Sequence, residues 1–275
     1  MTRQRLGQHF LTDPGWRQKI ARAIGLETSS SQAPWLEIGA GHGEMTRLLA
    51  ATGVPVFAVE LDSALARRLA TLSADHPNLH VIHGDVLHLD LARVLPLGPM
   101  RIYGNLPYYI TSPILHRLFE FAERIEVIHL VIQLEVALRL AARPGSRSYG
   151  YLSVATQYFT RPEIVLRILR GAFRPPPKVT SALVTLRLPG ERGRLTIHDE
   201  QRFFDFVKLA FAQKRKTLAN NLRPLASPEI SGVAFAKLGL RPDARAEQLS
   251  VAEFAALFRL LVPPPESAES FEANL

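Results

Sequence analysis

Short apolar runs recur through the first half of the chain, and helical spacing fills the gaps between them. The runs are WLEI (35–38), VFAVE (56–60), HVIHGD (80–85), RIYGN (101–105) and VIHLVIQ (127–133). Asp13-Pro14 opens an amphipathic helix that closes near Gly25; further helices are predicted from about Glu44 to Ala51 and from Ser63 to about Leu72. Short buried strands separated by helices predict a parallel sheet covered on both faces, an α/β fold. Segments 163–169 and 181–188 read as two more strands, an antiparallel edge pair, while GAFRPPPKV between them is too rich in proline for regular structure.

After PGERGR (189–194) the pattern changes, and helical signals dominate at about 199–211, 215–222, 228–238 and 250–261. The expected organisation is therefore an α/β domain over 1–190, a small helical domain over 191–263, and a proline-rich, then acidic tail over 264–275 that is expected to be disordered. The 275 residues suffice for one large core and a smaller second unit. No apolar run reaches the ~18 residues of a membrane span. MTRQRLGQHFL lacks the apolar stretch of a signal peptide, so a cytoplasmic protein is expected. Cysteine is absent, which excludes disulfides, thiolate metal sites and cysteine nucleophiles, and the scattered histidines form no ligand pattern, so no metal is expected.

Charge is concentrated. Residues 161–223 hold 14 Lys/Arg against 5 Asp/Glu, so a net +9 lies there and the rest of the chain is close to neutral. A basic block beside a neutral body suits a polyanionic partner, most often nucleic acid. Lys214, Arg215 and Lys216 fall where a helix is predicted to start; cations there oppose the helix dipole, which is easier to understand if phosphates lie nearby. Arg174 and Lys178 add charge within FRPPPK.

LEIGAGHGEMT (36–46) places Gly39, Gly41 and Gly43 between a strand and a helix, where glycine permits a tight turn and close approach to a ligand. The spacing is G-x-G-x-G, not that of a dinucleotide or Walker A loop. Glu60 ends the second strand and can take both hydroxyls of a ribose; Asp85 ends the third and can accept from an adenine amino group. Either acid alone could be a solvated strand end or a helix cap. Together with the glycines they define an adenosine-like crevice. Glu37 just before the glycines would repel a phosphate but not a sulfonium or an amine, which favours S-adenosyl-L-methionine over NAD.

YGNLPYYIT (103–111) ends the next strand in a turn, followed by a helix expected to be capped by Thr111 or Ser112 with Pro113 at its first position. A turn does not require two tyrosines. The order E-x-G-x-G-x-G, VELD, GD, NLPYYIT resembles the ribosomal RNA adenine N6,N6-dimethyltransferases, specifically the bacterial small-subunit (16S) enzymes. The resemblance runs nearly end to end: RQRLGQHFL (3–11), IQLEVALRL (132–140), SYGYLSV (148–154), AFRPPPKVTSALV (172–184), FAQKRKTLANNL (211–222) and RAEQLSV (245–251) follow in order. It implies a Rossmann-like methyltransferase sheet, S-adenosylmethionine as donor, and two adjacent adenosines near the 3′ end of small-subunit rRNA, in an assembling pre-30S or 30S particle, as target. A monomer is expected.

The adenine N6 lone pair is delocalised into the ring, so orientation and stabilisation of the charge growing on N6 help more than a base. Asn105 and a backbone carbonyl near Leu106–Pro107 can accept the two N6 protons, Pro107 shapes the loop, and Tyr108 can stack on the base. Tyr109 is given no role beyond packing. The resemblance implies that Phe173 covers the other face of the adenine, and that His9, Leu11, Gly39, Glu60, Asp85 and Asn105 contact the cofactor. Family members usually have asparagine at the position of His9 and often proline at that of Ala40. The amino-target motif also occurs in DNA and protein methyltransferases. A large-subunit rRNA methyltransferase and an assembly factor acting mainly by binding are the rival readings.

Overall fold

The computed structural model describes residues 8–94 and 98–262, and the expected tail beyond residue 263 lies outside them. These residues form two units, one drawn from Met1–Ala141 and Phe159–Gly190, the other from Ala142–Tyr158 and Glu191–Leu275.

In the first unit the elements run β1 (Phe10–Leu11), α1 (Pro14–Ala23), β2 (Trp35–Ile38), α2 (Thr46–Ala50), β3 (Val56–Glu60), α3 (Ser63–Ala70), β4 (Leu79–His83), α4 (Leu91–Val94), β5 (Met100–Asn105), α5 (Thr111–Phe119), β6 (Ile125–Gln133) and α6 (Leu134–Leu140). After α7 (Tyr151–Phe159) come β7 (Arg161–Ile168), β8 (Phe173–Arg174) and β9 (Ser181–Arg187). Seven strands make one sheet in the order β4-β3-β2-β5-β6-β9-β7. The first five are parallel, and β9 pairs antiparallel with both β6 and β7. This is the Rossmann-like sheet expected, with the predicted antiparallel edge pair.

Both faces of the central strands are covered. Every residue of β2 is buried, and Ile128, Leu130, Val131 and Ile132 of β6 have no exposed surface. Burying each such side chain contributes about 1.5–3 kcal/mol, which fixes the sheet against the propensity of any single helix. The helices carry local start signals. Asp13 accepts from the Trp16 amide ahead of Pro14, and Asp62 accepts from the Ala64 and Leu65 amides. α5 differs from expectation. It begins at Thr111 after Ile110, and among the described residues no side chain caps it and the buried Thr111 hydroxyl finds no partner.

FRPPPK also departs from the irregular loop expected. Its first two residues pair with the N-terminal segment, Phe10 with Arg174 and Leu11 with Phe173, and the Thr12 and Asp13 amides both donate to the Ala172 carbonyl. No local pattern predicts a ladder between segments so far apart in sequence.

The second unit contains α7, α8 (Glu200–Ala210), α9 (Leu218–Leu222), α10 (Pro228–Lys237) and α11 (Val251–Leu261). A single boundary at 190 does not describe it, because residues 142–158 pack with the later helices. The reason is aromatic: Tyr149 lies 6.3 Å from Phe211, Tyr151 meets Phe204 edge-on, and Tyr158 lies 5.5 Å from Phe203 while its hydroxyl donates to Glu200. Among the described residues no helix is long and apolar enough to cross a membrane.

Candidate active site

The chain leaves β2 toward one side of the sheet and returns through β5 on the other, so a crevice opens where the strand order reverses, at the carboxyl ends of the strands. The cleft there encloses about 790 Å³, part of it open to solvent. Its walls include Gly39 and Gly41 after β2, Glu60 ending β3, Asp85 after β4, and Asn105, Pro107 and Tyr108 after β5. Residues separated by up to 69 positions, from Gly39 to Tyr108, are thereby brought to one edge.

Glu60 is buried and held at both oxygens. Oε2 accepts from the Gly41 amide at 2.8 Å and Oε1 from the Asp62 amide at 2.9 Å. Each oxygen keeps a second lone pair, so the carboxylate is oriented and can still accept from two hydroxyls. Gly41 has φ +59°, and a Cβ there would stand 3.1 Å from the Phe10 ring. Glycine thus serves two purposes at this position: it permits the left-handed turn and lets the N-terminal segment close over the loop.

Asp85 also combines a local and an outward role. Its Oδ1 accepts from the Leu87 amide, its Oδ2 lies 3.0 Å from His88 Nδ1, and its side chain remains one-third exposed beside the cleft. Capping the turn thus leaves part of this carboxylate open beside the cleft.

A smaller cavity of about 330 Å³ adjoins the cleft, sharing Phe10, Gly39, Gly41 and Asn105, and Glu37, Leu11 and Tyr103 line it. Glu37 Oε2 and the Tyr103 hydroxyl are buried there without a hydrogen-bond partner among the described residues. Burial pushes the Glu37 carboxyl up to about 8; the nearby Thr46 hydroxyl, which closes no hydrogen bond of good geometry, opposes this, and the Glu60 charge adds to it. Burial likewise raises the Tyr103 phenol. Unsatisfied buried polar atoms of this kind call for a partner, and an ammonium paired with the ionised form of Glu37 would supply one. An S-adenosylmethionine, with ribose, adenine and an ammonium-bearing tail, matches this set of groups.

Asn105 Nδ2 donates to the His9 carbonyl at 2.9 Å. A carbonyl only accepts, so the amide nitrogen faces residue 9 and Oδ1 faces away from it. The Pro107 carbonyl accepts from the Ile110 amide, which leaves the Leu106 carbonyl as the better second acceptor for an amino group. Tyr108 is half-buried, and its hydroxyl lies 2.7 Å from Ser181 Oγ at the start of β9. Burial raises its phenol, with Ser181 opposing. Tyr109, given no role beyond packing, is 62% exposed on the cleft rim.

One expected contact falls elsewhere. Phe173 is 1% exposed, sits in the core cluster with Leu11 and Ile20, and does not line the cleft. Its strand pairing with Leu11 turns the ring inward, so the structure does not offer it as a cover for a bound base. Leu11 lines the smaller cavity only. His9 does border the cleft, but its ring is engaged with Pro175 and Tyr108. Phe10, Leu61 and Val86 also line the cleft and were not singled out from the sequence. The signal for two of them was present: Leu61 and Val86 each directly follow a cleft acid, where an apolar side chain can flank a base.

Arg174 and Lys178 are exposed. In the second unit Lys214, Arg215 and Lys216 are exposed in the turn before α9, not in its first turn, because Thr217 caps the helix by accepting from the Asn220 amide. Lys214 Nζ donates to the Arg147 carbonyl. Among the described residues no three His, Asp or Glu side chains gather as a metal site.

The family model described as ribosomal RNA adenine dimethylase matches residues 1–262. A ribosomal RNA small subunit methyltransferase A from Synechococcus sp. (strain JA-3-3Ab) is 40% identical over 265 residues, covering 94% of this chain and 93% of its own. Among solved structures, the 23S rRNA methyltransferase ErmE is 29% identical with a TM-score of 0.70, over 92% of this chain and 99% of its own. A dimethyladenosine transferase from Plasmodium falciparum is 25% identical with a TM-score of 0.73, over 91% of this chain and 96% of its own.

Proposed function

The chain belongs to the ribosomal RNA adenine dimethylase family, and we propose that it transfers methyl groups from S-adenosylmethionine to N6 of two adjacent adenosines near the 3′ end of small-subunit rRNA, within an assembling pre-30S or 30S particle. It would act as a cytoplasmic monomer. The observation that carries the reading is Asn105. Its amide is fixed with nitrogen toward His9, so its oxygen is available as an acceptor at the cleft that also holds Glu60 and Asp85.

In this reading Glu60 takes the ribose hydroxyls, Asp85 the adenine amino group, the glycine loop at Gly39 and Gly41 the backbone approach, and Glu37 the ammonium of the donor. His9 and Leu11 border the donor's space from the N-terminal segment. The bound donor supplies an electrophilic methyl on a sulfonium. Everything else is positioning. Asn105 Oδ1 and the Leu106 carbonyl accept hydrogen bonds from the target's N6–H groups and turn its lone pair toward the methyl; as positive charge grows on N6, both acceptors bind it more strongly, and the surplus N6 proton is then lost to solvent. Tyr108, anchored through Ser181, stacks on the target base and stabilises the same charge with its π face. Pro107 holds the loop that carries these groups. Phe173 could cover the base only if the β1–β8 pairing opened on RNA binding. Arg174, Lys178, Lys214, Arg215 and Lys216 would contact rRNA phosphates, with the helical unit as the RNA-docking domain.

Nucleoside mass spectrometry tests the whole reading. Undermethylated small subunits, naked small-subunit rRNA and large subunits are each incubated with the protein and S-adenosylmethionine. Dimethyladenosine in the small-subunit particle alone is the expected result; dimethyladenosine in the large subunit would instead align the chain with the 23S rRNA methyltransferase ErmE. Asn105→Ala is expected to lower methylation by about 10²–10³ with particle binding retained, the loss typical of one transition-state hydrogen-bond partner. A variant that methylates normally would remove Asn105 from the mechanism, and binding without any methylation by the wild type would leave an assembly factor.

A further inference from the structure

His9 is expected from the family resemblance to touch the donor, yet its carbonyl and its ring Nδ1 are engaged elsewhere. Its backbone carbonyl accepts from Asn105 Nδ2 at 2.9 Å, across 96 positions of sequence. Its ring Nδ1 lies 2.8 Å from the Pro175 carbonyl, and its ring centroid lies 5.5 Å from that of Tyr108. The Pro175 carbonyl can only accept, so Nδ1 carries the proton.

The short ladder between the N-terminal segment and FRPPPK explains why a side chain is needed. Phe10 pairs with Arg174 and Leu11 with Phe173. The residues that follow on that side are Pro175, Pro176 and Pro177, none of which has an N–H to donate, so the backbone ladder stops at the Phe10–Arg174 pair. The His9 ring N–H reaches the Pro175 carbonyl and closes the ladder from the side chain instead. Residue 9 is thereby held at the ladder's end, and with it the carbonyl that Asn105 is bonded to.

We infer that His9 is a positioning residue that sets the polarity of Asn105: by bracing the N-terminal segment against Pro175 and Tyr108, it keeps its own carbonyl where only the amide nitrogen of Asn105 can face it, so that Oδ1 is presented to the target amino group. The inference rests on the proposed transfer to an adenine N6. Were the segment to move away, the Asn105 amide would lose its polar anchor at 2.9 Å and could rotate by half a turn, presenting donors where an acceptor is required. A donor–donor encounter with N6 hinders the reaction without altering the cleft's grip on ribose or adenine.

The test separates rate from donor affinity. His9→Ala, His9→Phe and His9→Asn are compared with wild type on undermethylated small subunits, with kcat measured at saturating donor and S-adenosylmethionine Kd by calorimetry. His9→Ala removes the bond to Pro175 and the contact with Tyr108; about tenfold lower kcat, with donor Kd within about twofold, is expected for the loss of roughly one hydrogen bond's worth of ordering. His9→Phe keeps a ring but no N–H and is expected to fall with the alanine variant. The amide of His9→Asn can donate to Pro175 and is expected to recover most of the rate. A donor Kd weakened tenfold or more in His9→Ala with kcat unchanged would overturn the inference and make His9 a donor contact. Equal kcat in all four proteins would overturn it as well. A loss equal in the alanine and asparagine variants would leave only ring packing, which is not what is proposed. Failure of the activity reading looks different, since the wild type itself would then leave N6 unmethylated.

Discussion

Replacing Glu37 by Gln should remove a loss of folding stability that wild type suffers as pH rises from 4.5 to 8. The carboxyl is fully buried, and its burial, with the Glu60 charge added, raises it from 4.5 to about 8. A folded-state value above the unfolded one means that the folded protein holds this proton where the unfolded chain has released it. Stability contributed by the protonated group is therefore intact below pH 4.5 and is lost as pH rises toward 8. At about 1.4 kcal/mol per unit the difference amounts to about 3–6 kcal/mol across that window, a large part of the stability of an ordinary domain. Glutamine is neutral throughout and of similar size, so Glu37→Gln should match wild type near pH 5 and exceed it near pH 8. The comparison also removes an opposing background. Buried His129, lowered to about 3, makes stability rise between pH 3 and 6.5 in both proteins alike. Denaturant unfolding at four pH values between 5 and 8 reads the difference directly. A donor bearing an ammonium should bind with proton release near pH 7 in wild type and without it in Glu37→Gln, measurable by calorimetry in buffers of different ionisation enthalpy. Unfolding free energies that stay parallel from pH 5 to 8 would refute the buried-acid argument.

Two further perturbations test the cradle and the docking surface. Gly41→Ala places a Cβ 3.1 Å from Phe10 in a left-handed conformation; a loss of about 1–2 kcal/mol in stability and a weaker donor Kd are expected, and thermal melting unchanged from wild type would refute the close-approach role. Reversing Lys214, Arg215 and Lys216 to Glu should weaken particle binding and reduce the slope of log affinity against log salt by roughly one for each phosphate no longer neutralised; identical binding across a salt series would sink that assignment.

Local features explain what could be read in advance. WLEI and VFAVE coincide with β2 and β3 because a short apolar run next to glycine or aspartate has few alternatives to a buried strand. Glu60, Asp85 and Asn105 follow from their places at strand ends, since a parallel sheet aligns all such ends on one edge. Where a signal was ambiguous, the outcome depended on neighbours distant in sequence or on a competing cap. Thr217, not the basic triplet before it, starts α9 because its hydroxyl reaches the Asn220 amide. Phe173 carries the same side chain a base-covering residue would need, but the ladder with Leu11 turns it into the core.

From the sequence alone came the seven strands of the main sheet in chain order, the glycine loop, the acids that flank it and the amide-aromatic turn, because each is written in contiguous residues whose backbone preferences and spacing are local. Tertiary structure decided the rest. It joined residues 142–158 to the helical unit through tyrosine–phenylalanine contacts, enclosed Glu37 so that burial raises its carboxyl, and brought the His9 carbonyl to Asn105. These properties belong to pairs of residues far apart in the chain; burial and hydrogen-bond polarity arise only once the chain has brought both members together.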